Sequence, residues 1–356
     1  MTDEPAPAAT PDPAAAPAAT PHRRRPRYAG KNPRRFEEKY KEHDPARYAE
    51  TVAKVVASGK TAAGTHRPIM VAEILEVLAP APGEVAVDCT LGYGGHSREI
   101  LPRLQPGGRL LGLDADPLEL PKTEARLRAL GFGPDTFTAH RSNFAGLPKV
   151  LAAAGLAGAD VILADLGLSS MQIDDPARGF SVKFAGPLDM RMNPQRGASA
   201  AARLAGLTPA ALAQLLTDNA DEPRAALLAP LLAGRQFATT TELAGAVRAA
   251  LPRLAKEEAD LAVRRVFQAL RIAVNDEFSA LDTLLRHLPA CLRPGGRVAM
   301  LTFHSGEDRR VKKAFLAGQR DGTYAAIAEE IIRPSPAECG ANPRAIPAKL
   351  RWARRA

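Results

Sequence analysis

Short apolar runs and amphipathic stretches alternate between residues 84 and 165. The runs at 84–90, 109–114, 136–141 and 161–165 predict strands, and the stretches between them carry apolar residues at helical spacing. Strands alternating with helices imply a parallel sheet covered on both faces. Asp88, Asp114 and Asp165 fall at the C-terminal ends of the first, second and fourth runs. That is the edge where open α/β sheets hold ligands. The alternation then stops. A polar loop over 167–196 leads into helical signals without strands. Thr208-Pro209 reads as an N-cap followed by proline, and Thr239 with Glu242 as a capping box. Val263, Val266, Phe267, Leu270, Val274, Phe278, Leu281, Leu285 and Leu288 make one long helical stripe. An apolar run at 297–303 predicts a fifth strand, and Ile331-Ile332 with 349–352 predict an edge hairpin.

The organisation that follows has four parts. Residues 1–60 form an Ala/Pro-rich and basic arm without the means to build a core. Residues 61–170 begin an α/β domain, 171–266 form a mostly helical insertion, and 267–356 complete the domain.

Composition narrows the function classes. Hydrophobic residues make up 46% and aromatics 5%, with Ala and Leu dominant, which favours helices and a parallel sheet over a sandwich. No run is long and apolar enough to span a membrane, and the first residues carry acid and proline where a signal peptide carries base and an apolar stretch. Cys89, Cys291 and Cys339 lie far apart, without disulfide or zinc spacing. These features point to a reducing, cytoplasmic setting with no bound metal. The net charge is +9, and nine Lys/Arg face only Glu37 and Glu38 between His22 and Lys41. A basic arm beside a globular domain points to a polyanion such as RNA, or simply to a solvated tail.

The first strand leads into Asp88-Cys-Thr-Leu-Gly92-Tyr-Gly94-Gly95-His96-Ser97. A dinucleotide loop wants a third glycine where Ser97 stands. An acid followed by G-x-G-G resembles the nucleoside loop of S-adenosylmethionine-dependent methyltransferases. Asp114, 26 positions after Asp88, can accept both hydroxyls of a ribose, whether from NAD or from S-adenosylmethionine. Asp165, Ser169, Ser170 and Gln172 combine a carboxylate, two hydroxyls and an amide where a loop would face ligand and substrate. Such a set can orient an amine for attack and take up its proton. Ser169 capping the next turn is the plainer alternative. His304 ends the fifth strand, where it either contacts a base or phosphate or simply satisfies the strand end. Cys89 has no His/Asp partner that would make it a nucleophile.

Ordered motifs carry a resemblance that runs from about residue 65 to the C-terminus. They are His66-Arg-Pro, the Asp88–Ser97 loop, Asp114-Ala-Asp116-Pro117, Asp165-Leu-Gly-Leu-Ser-Ser with Gln172, Arg178-Gly-Phe-Ser, Gly186-Pro-Leu-Asp-Met-Arg-Met192, Phe267-Gln-Ala-Leu-Arg-Ile with Asn275, Pro294-Gly-Gly-Arg, Phe303-His-Ser with Glu307-Asp-Arg309, and Asn342-Pro-Arg344. Together they resemble the ribosomal RNA small subunit methyltransferase H family. The resemblance implies a class I methyltransferase domain, a Rossmann-like parallel sheet with an antiparallel edge and a helical insertion for rRNA recognition. It implies S-adenosylmethionine as cofactor and methylation of a cytidine N4 in the decoding region of 16S rRNA, in the small ribosomal subunit. By position it assigns cofactor contacts to Gly94, Gly95, His96, Asp114, Phe144, Asp165 and Gln172. Ser169, Ser170, Asp189 and His304 are the candidates for the catalytic side. The chain departs from the family pattern at Met171, Gly306, residues 219–222 and Ile346-Pro347. Two other classes stand beside this reading: a non-catalytic RNA-binding assembly factor, which intact Gly94, Gly95 and Asp114 disfavour, and an NAD-dependent enzyme, which Ser97 disfavours.

Overall fold

Strands β1 (Val85–Asp88), β2 (Arg109–Asp114), β3 (Phe137–Arg141), β4 (Ala159–Asp165), β5 (Leu292–Thr302), β6 (Tyr324–Ile327) and β7 (Lys349–Arg355) form one sheet in the order β3-β2-β1-β4-β5-β7-β6. The computed structural model describes residues 68–356. The basic arm and His66-Arg67 lie outside the described residues. β1 to β5 run parallel, and β7 is antiparallel to both β5 and β6. This is the class I methyltransferase arrangement. The central strands are covered on both faces, which is why β1 and β4 read as continuous apolar runs.

One expectation changes here. The C-terminal strand is not on the edge: β7 lies between β5 and β6, and β6 is the edge. Ile332 makes only an isolated bridge to Leu350. The short Tyr-Ala-Ala-Ile of β6 buries only its two ends, so it carries a weaker apolar signal than Ile331-Ile332.

The helices α1 (Val71–Leu78), α2 (Gly95–Ile100), α3 (Leu120–Ala129) and α4 (Leu147–Ala153) precede the insertion. After β4 come α5 (Ser170–Asp174), α6 (Ala200–Ala205), α7 (Pro209–Ala220), α8 (Ala225–Leu232), α9 (Thr240–Ala249) and α10 (Lys256–Asn275). Then follow α11 (Glu277–Cys291), α12 (Ser305–Arg320) and α13 (Pro336–Ala341). Thr208 caps α7 through the Ala211 N–H with Pro209 behind it, and Thr239 and Glu242 form the capping box of α9. The long stripe is two helices rather than one. Asp276 sits in the left-handed region at φ 50° and breaks it. Val263, Val266, Phe267 and Leu270 pack with Leu188, Leu212 and Leu243 in a core of their own. Leu281, Leu285 and Leu288 join the sheet core with Leu111, Ile162 and Met300. The 3.6-residue period survives a one-residue break, so periodicity alone does not reveal it.

The loop after β4 is held by close backbone contact. A Cβ on Gly186 would lie 1.9 Å from the Pro176 carbonyl oxygen, where no flexible side chain can yield. Gly186→Ala should therefore destabilise by roughly 1–3 kcal/mol, the range for overpacking. Denaturant midpoints would show this against Gly133→Ala, whose Cβ meets nothing within 4 Å and should cost little.

Candidate active site

The loops beyond the C-terminal ends of β1, β2, β4 and β5 enclose a cavity of about 490 Å³. Its floor is the glycine turn. Asp88 is 2% exposed; its carboxylate accepts the Thr90 N–H at 3.1 Å and the Ser97 hydroxyl at 2.7 Å. Burial raises the Asp88 carboxyl despite these bonds. Ser97, the mismatch to a dinucleotide loop, thus ties the turn to its strand. Gly95 lines the cavity, and a Cβ there would lie 2.6 Å from Pro68 Cγ. Gly94 does not line it; φ 79° and the nearby Thr123 methyl explain that glycine by packing.

Asp114 ends β2 in the cavity wall. One carboxylate oxygen accepts the Gly92 N–H at 2.7 Å and the other the Asp116 N–H at 2.8 Å. Burial pushes its pKa up to about 6, with Asp116 and Asp88 adding repulsion, while those two N–H bonds pull the other way. Each oxygen keeps a lone pair for a ligand hydroxyl. Phe144 lines the same end of the cavity from the turn after β3.

Asp165 ends β4. Burial pushes it to about 6 as well, opposed by His96 and reinforced by Asp88 and Glu307. Its backbone N–H donates to the Thr90 hydroxyl at 2.7 Å. His96 is 7% exposed, with Nε2 at 3.0 Å from the Ile69 carbonyl and Nδ1 at 3.7 Å from Asp165. Cys89 also lines the cavity, but burial holds its thiol well above its ordinary range, so it supplies no thiolate.

Ser169, Ser170 and Gln172 line the cavity too. Ser169 caps α5 in a capping box with Gln172. The Gln172 side chain is committed within the protein: its oxygen accepts the Ser169 N–H at 3.0 Å and its nitrogen donates to Asp116 at 2.9 Å. Asp116 is fully buried and also meets Arg178 Nη1 at 2.7 Å. Arg178 Nη2 in turn donates to the carbonyls of Arg191 and Met192. Asp116 therefore fastens three loops. The sequence places it in a motif without a role, because burial of a charge leaves no local pattern.

The opposite wall comes from α10, α11 and the C-terminal segment. Arg271 pairs with Glu277 through two contacts of 2.8 Å. Asn275 accepts the Met192 N–H at 2.7 Å and donates to the Met190 carbonyl at 2.8 Å. Arg344 reaches Asp174 at 2.6 Å. Sequence reasoning gave these residues no role; Arg271, Asn275 and Arg344 signal themselves only as motif members. Two candidates are not brought to the cavity. Asp189 faces Arg191 at 2.6 Å, and although burial works against it, hydrogen bonds from Arg191 hold its carboxyl below the usual range. His304 caps α12 and lies 3.1 Å from Glu307.

Among the described residues, no helix is long and apolar enough to cross a membrane, and no group of three or more His, Cys, Asp or Glu is placed to hold a metal.

The family model of the MraW methylase family matches residues 63–356. The ribosomal RNA small subunit methyltransferase H 1 of Lachnoclostridium phytofermentans is 49% identical over 341 residues, covering 93% of this chain and 93% of that protein. The methyltransferase H 2 of Alkaliphilus metalliredigens is 49% identical over 339 residues, covering 93% and 97%. Among solved structures, an rRNA methylase from Streptococcus thermophilus superposes with a TM-score of 0.36 at 12% identity, covering 80% of this chain and 93% of that one. The matched span and the two identities of 49% establish that the chain belongs to the MraW methylase family.

Proposed function

We propose that this protein transfers a methyl group from S-adenosylmethionine to the N4 amine of a cytidine in the decoding region of 16S rRNA. The observation that carries the reading is the cavity itself. The carboxylates of Asp114 and Asp165 stand on one sheet edge, faced by a wall that carries Arg271, Asn275 and Glu277.

The residues fit the cofactor. The Asp114 oxygens, already held by two backbone N–H groups, have acceptor capacity left for a 2′,3′-diol. Leu91, Phe144, Leu166 and Met171 give an apolar lining for an adenine ring. The cavity volume is that of a small-molecule site. When bound, the cofactor supplies an electrophilic methyl group on a cationic sulfur. The protein has to bind the diol, exclude water, and hold the acceptor nitrogen in line. The names of the relatives support small-subunit rRNA as the partner. The N4 position comes from the motif resemblance.

The test is to incubate the protein with methyl-labelled donor and small ribosomal subunits, then digest the rRNA to nucleosides. Label in N4-methylcytidine is expected. No label, or label in another nucleoside, overturns the reading.

Cofactor binding should also depend on pH. The ionised Asp114 accepts both diol hydroxyls with a charged carboxylate, whereas protonation removes the charge and occupies one oxygen, so binding favours the deprotonated form. With its pKa raised to about 6, affinity should be full above pH 7 and fall as pH drops through 6. The loss approaches about tenfold per pH unit below that. Equilibrium dialysis from pH 5 to 8 reads this directly; a flat profile would exclude Asp114 from the diol.

A further inference from the structure

Asp165 and His96 face each other on the cavity floor, one at the end of β4 and the other in the first turn of α2. The tautomer of His96 follows from its surroundings. Nε2 lies 3.0 Å from the Ile69 carbonyl, which can only accept, so Nε2 carries the hydrogen. In the neutral ring, Nδ1 therefore turns a lone pair towards Asp165 Oδ2, 3.7 Å away. That separation is longer than a hydrogen bond, as catalytic contacts often are before substrate tightens them. Both side chains line the cavity; the other charges acting on Asp165 come from Asp88, at the end of β1, and from Glu307 on α12, which also lines it. Neither of those is available as a base. Asp88 is held by Ser97 and Thr90, and Glu307 by the Phe303 N–H and His304.

We propose that Asp165 receives the proton shed by the acceptor amine and that His96 Nδ1 is the relay on which it comes to rest. This rests on the reading of the acceptor as an exocyclic amine. The nitrogen lone pair forms the new N–C bond as the S–C bond breaks, and the electron pair of that bond stays on sulfur, which becomes neutral. The nitrogen then carries the positive charge and loses one N–H proton to the Asp165 carboxylate. Transfer to Nδ1 restores the carboxylate and leaves an imidazolium beside it. That proton goes to water after the product leaves. Asp165 is thus a catalytic residue, and His96 acts through it.

Two variants and one spectrum test this. His96→Gln keeps an Nε donor for the Ile69 carbonyl and removes Nδ1. At saturating cofactor it should lower the single-turnover methylation rate about tenfold or more and displace the acid limb of the pH–rate profile. Asp165→Asn should lower that rate by about 10² to 10⁴. In the ligand-free protein, nitrogen-15 NMR at pH 8 should show His96 protonated on Nε2. Protonation on Nδ1, a rate and pH profile unchanged in His96→Gln, or a rate loss that vanishes at saturating cofactor would each overturn the relay. The product of the wild-type protein separates the two failures. If it is not N4-methylcytidine, the acceptor reading is at fault. If it is, and His96→Gln behaves as wild type, only the relay is wrong.

Discussion

Asp116→Ala should be the most damaging single substitution in the site, costing about 3–5 kcal/mol of stability, the range for breaking a buried pair by removing one partner. The carboxylate is fully buried and meets Arg178 at 2.7 Å, the Gln172 amide at 2.9 Å and the Leu118 N–H at 2.9 Å. Removing it strands a guanidinium with side-chain exposure of only 10% and orphans one donor of Gln172. Arg178 also holds the Arg191 and Met192 carbonyls, so the loss spreads to the loop that carries Met192 into the cavity. Denaturant unfolding measures the effect. Asp116→Asn, which keeps one acceptor, should fall between the wild type and Asp116→Ala. A cost below about 1 kcal/mol for Asp116→Ala would mean that the charge does not fasten these loops.

Asp114→Ala should act on binding instead of folding. Bonds from ligand hydroxyls to a charged acceptor contribute about 1.5–3 kcal/mol each, so cofactor affinity should fall by about 10- to 100-fold or more. The protein should stay folded. Burial already disfavours this carboxylate, which is why its pKa stands at about 6, and removing it relieves repulsion with Asp116 and Asp88. That relief offsets the two N–H bonds lost from Gly92 and Asp116. Isothermal titration with S-adenosylmethionine alongside a thermal melt separates the effects. Unchanged affinity would remove Asp114 from the site, and a collapse of the melt would make its role structural.

Much of this was legible in the sequence because it depends on local pattern. Buried parallel strands read as apolar runs, and acids at their ends mark the ligand edge. The caps at Thr208 and Thr239 are short-range hydrogen-bonding signatures, and they form as the spacing indicates. What escaped depends on contacts between distant residues. Asp116 meets Arg178 across 62 positions, Asn275 meets Met192 across 83, and Arg344 meets Asp174 across 170. Nothing near Asp116 in the chain marks it as buried. Asp189 looks like a site acid in sequence, yet its own neighbour Arg191 occupies it. Ser169 shows a different ambiguity, since a hydroxyl suited to catalysis is equally suited to capping a helix, and here it caps α5.

The break at Asp276 divides the chain's tolerance to change. α10 is seated in the core it shares with α6 to α9 and α11 in the core of the sheet, so a repacking in either can be absorbed without disturbing the other. Changes in separate cores with no shared partners add, while residues that touch one another do not. Arg271, Asn275 and Glu277 straddle the joint and face the cavity. The packing around α10 can therefore be reshaped as long as these three keep their places, because Asp114, Phe144 and Asp165 on the facing wall are carried by the sheet and its loops.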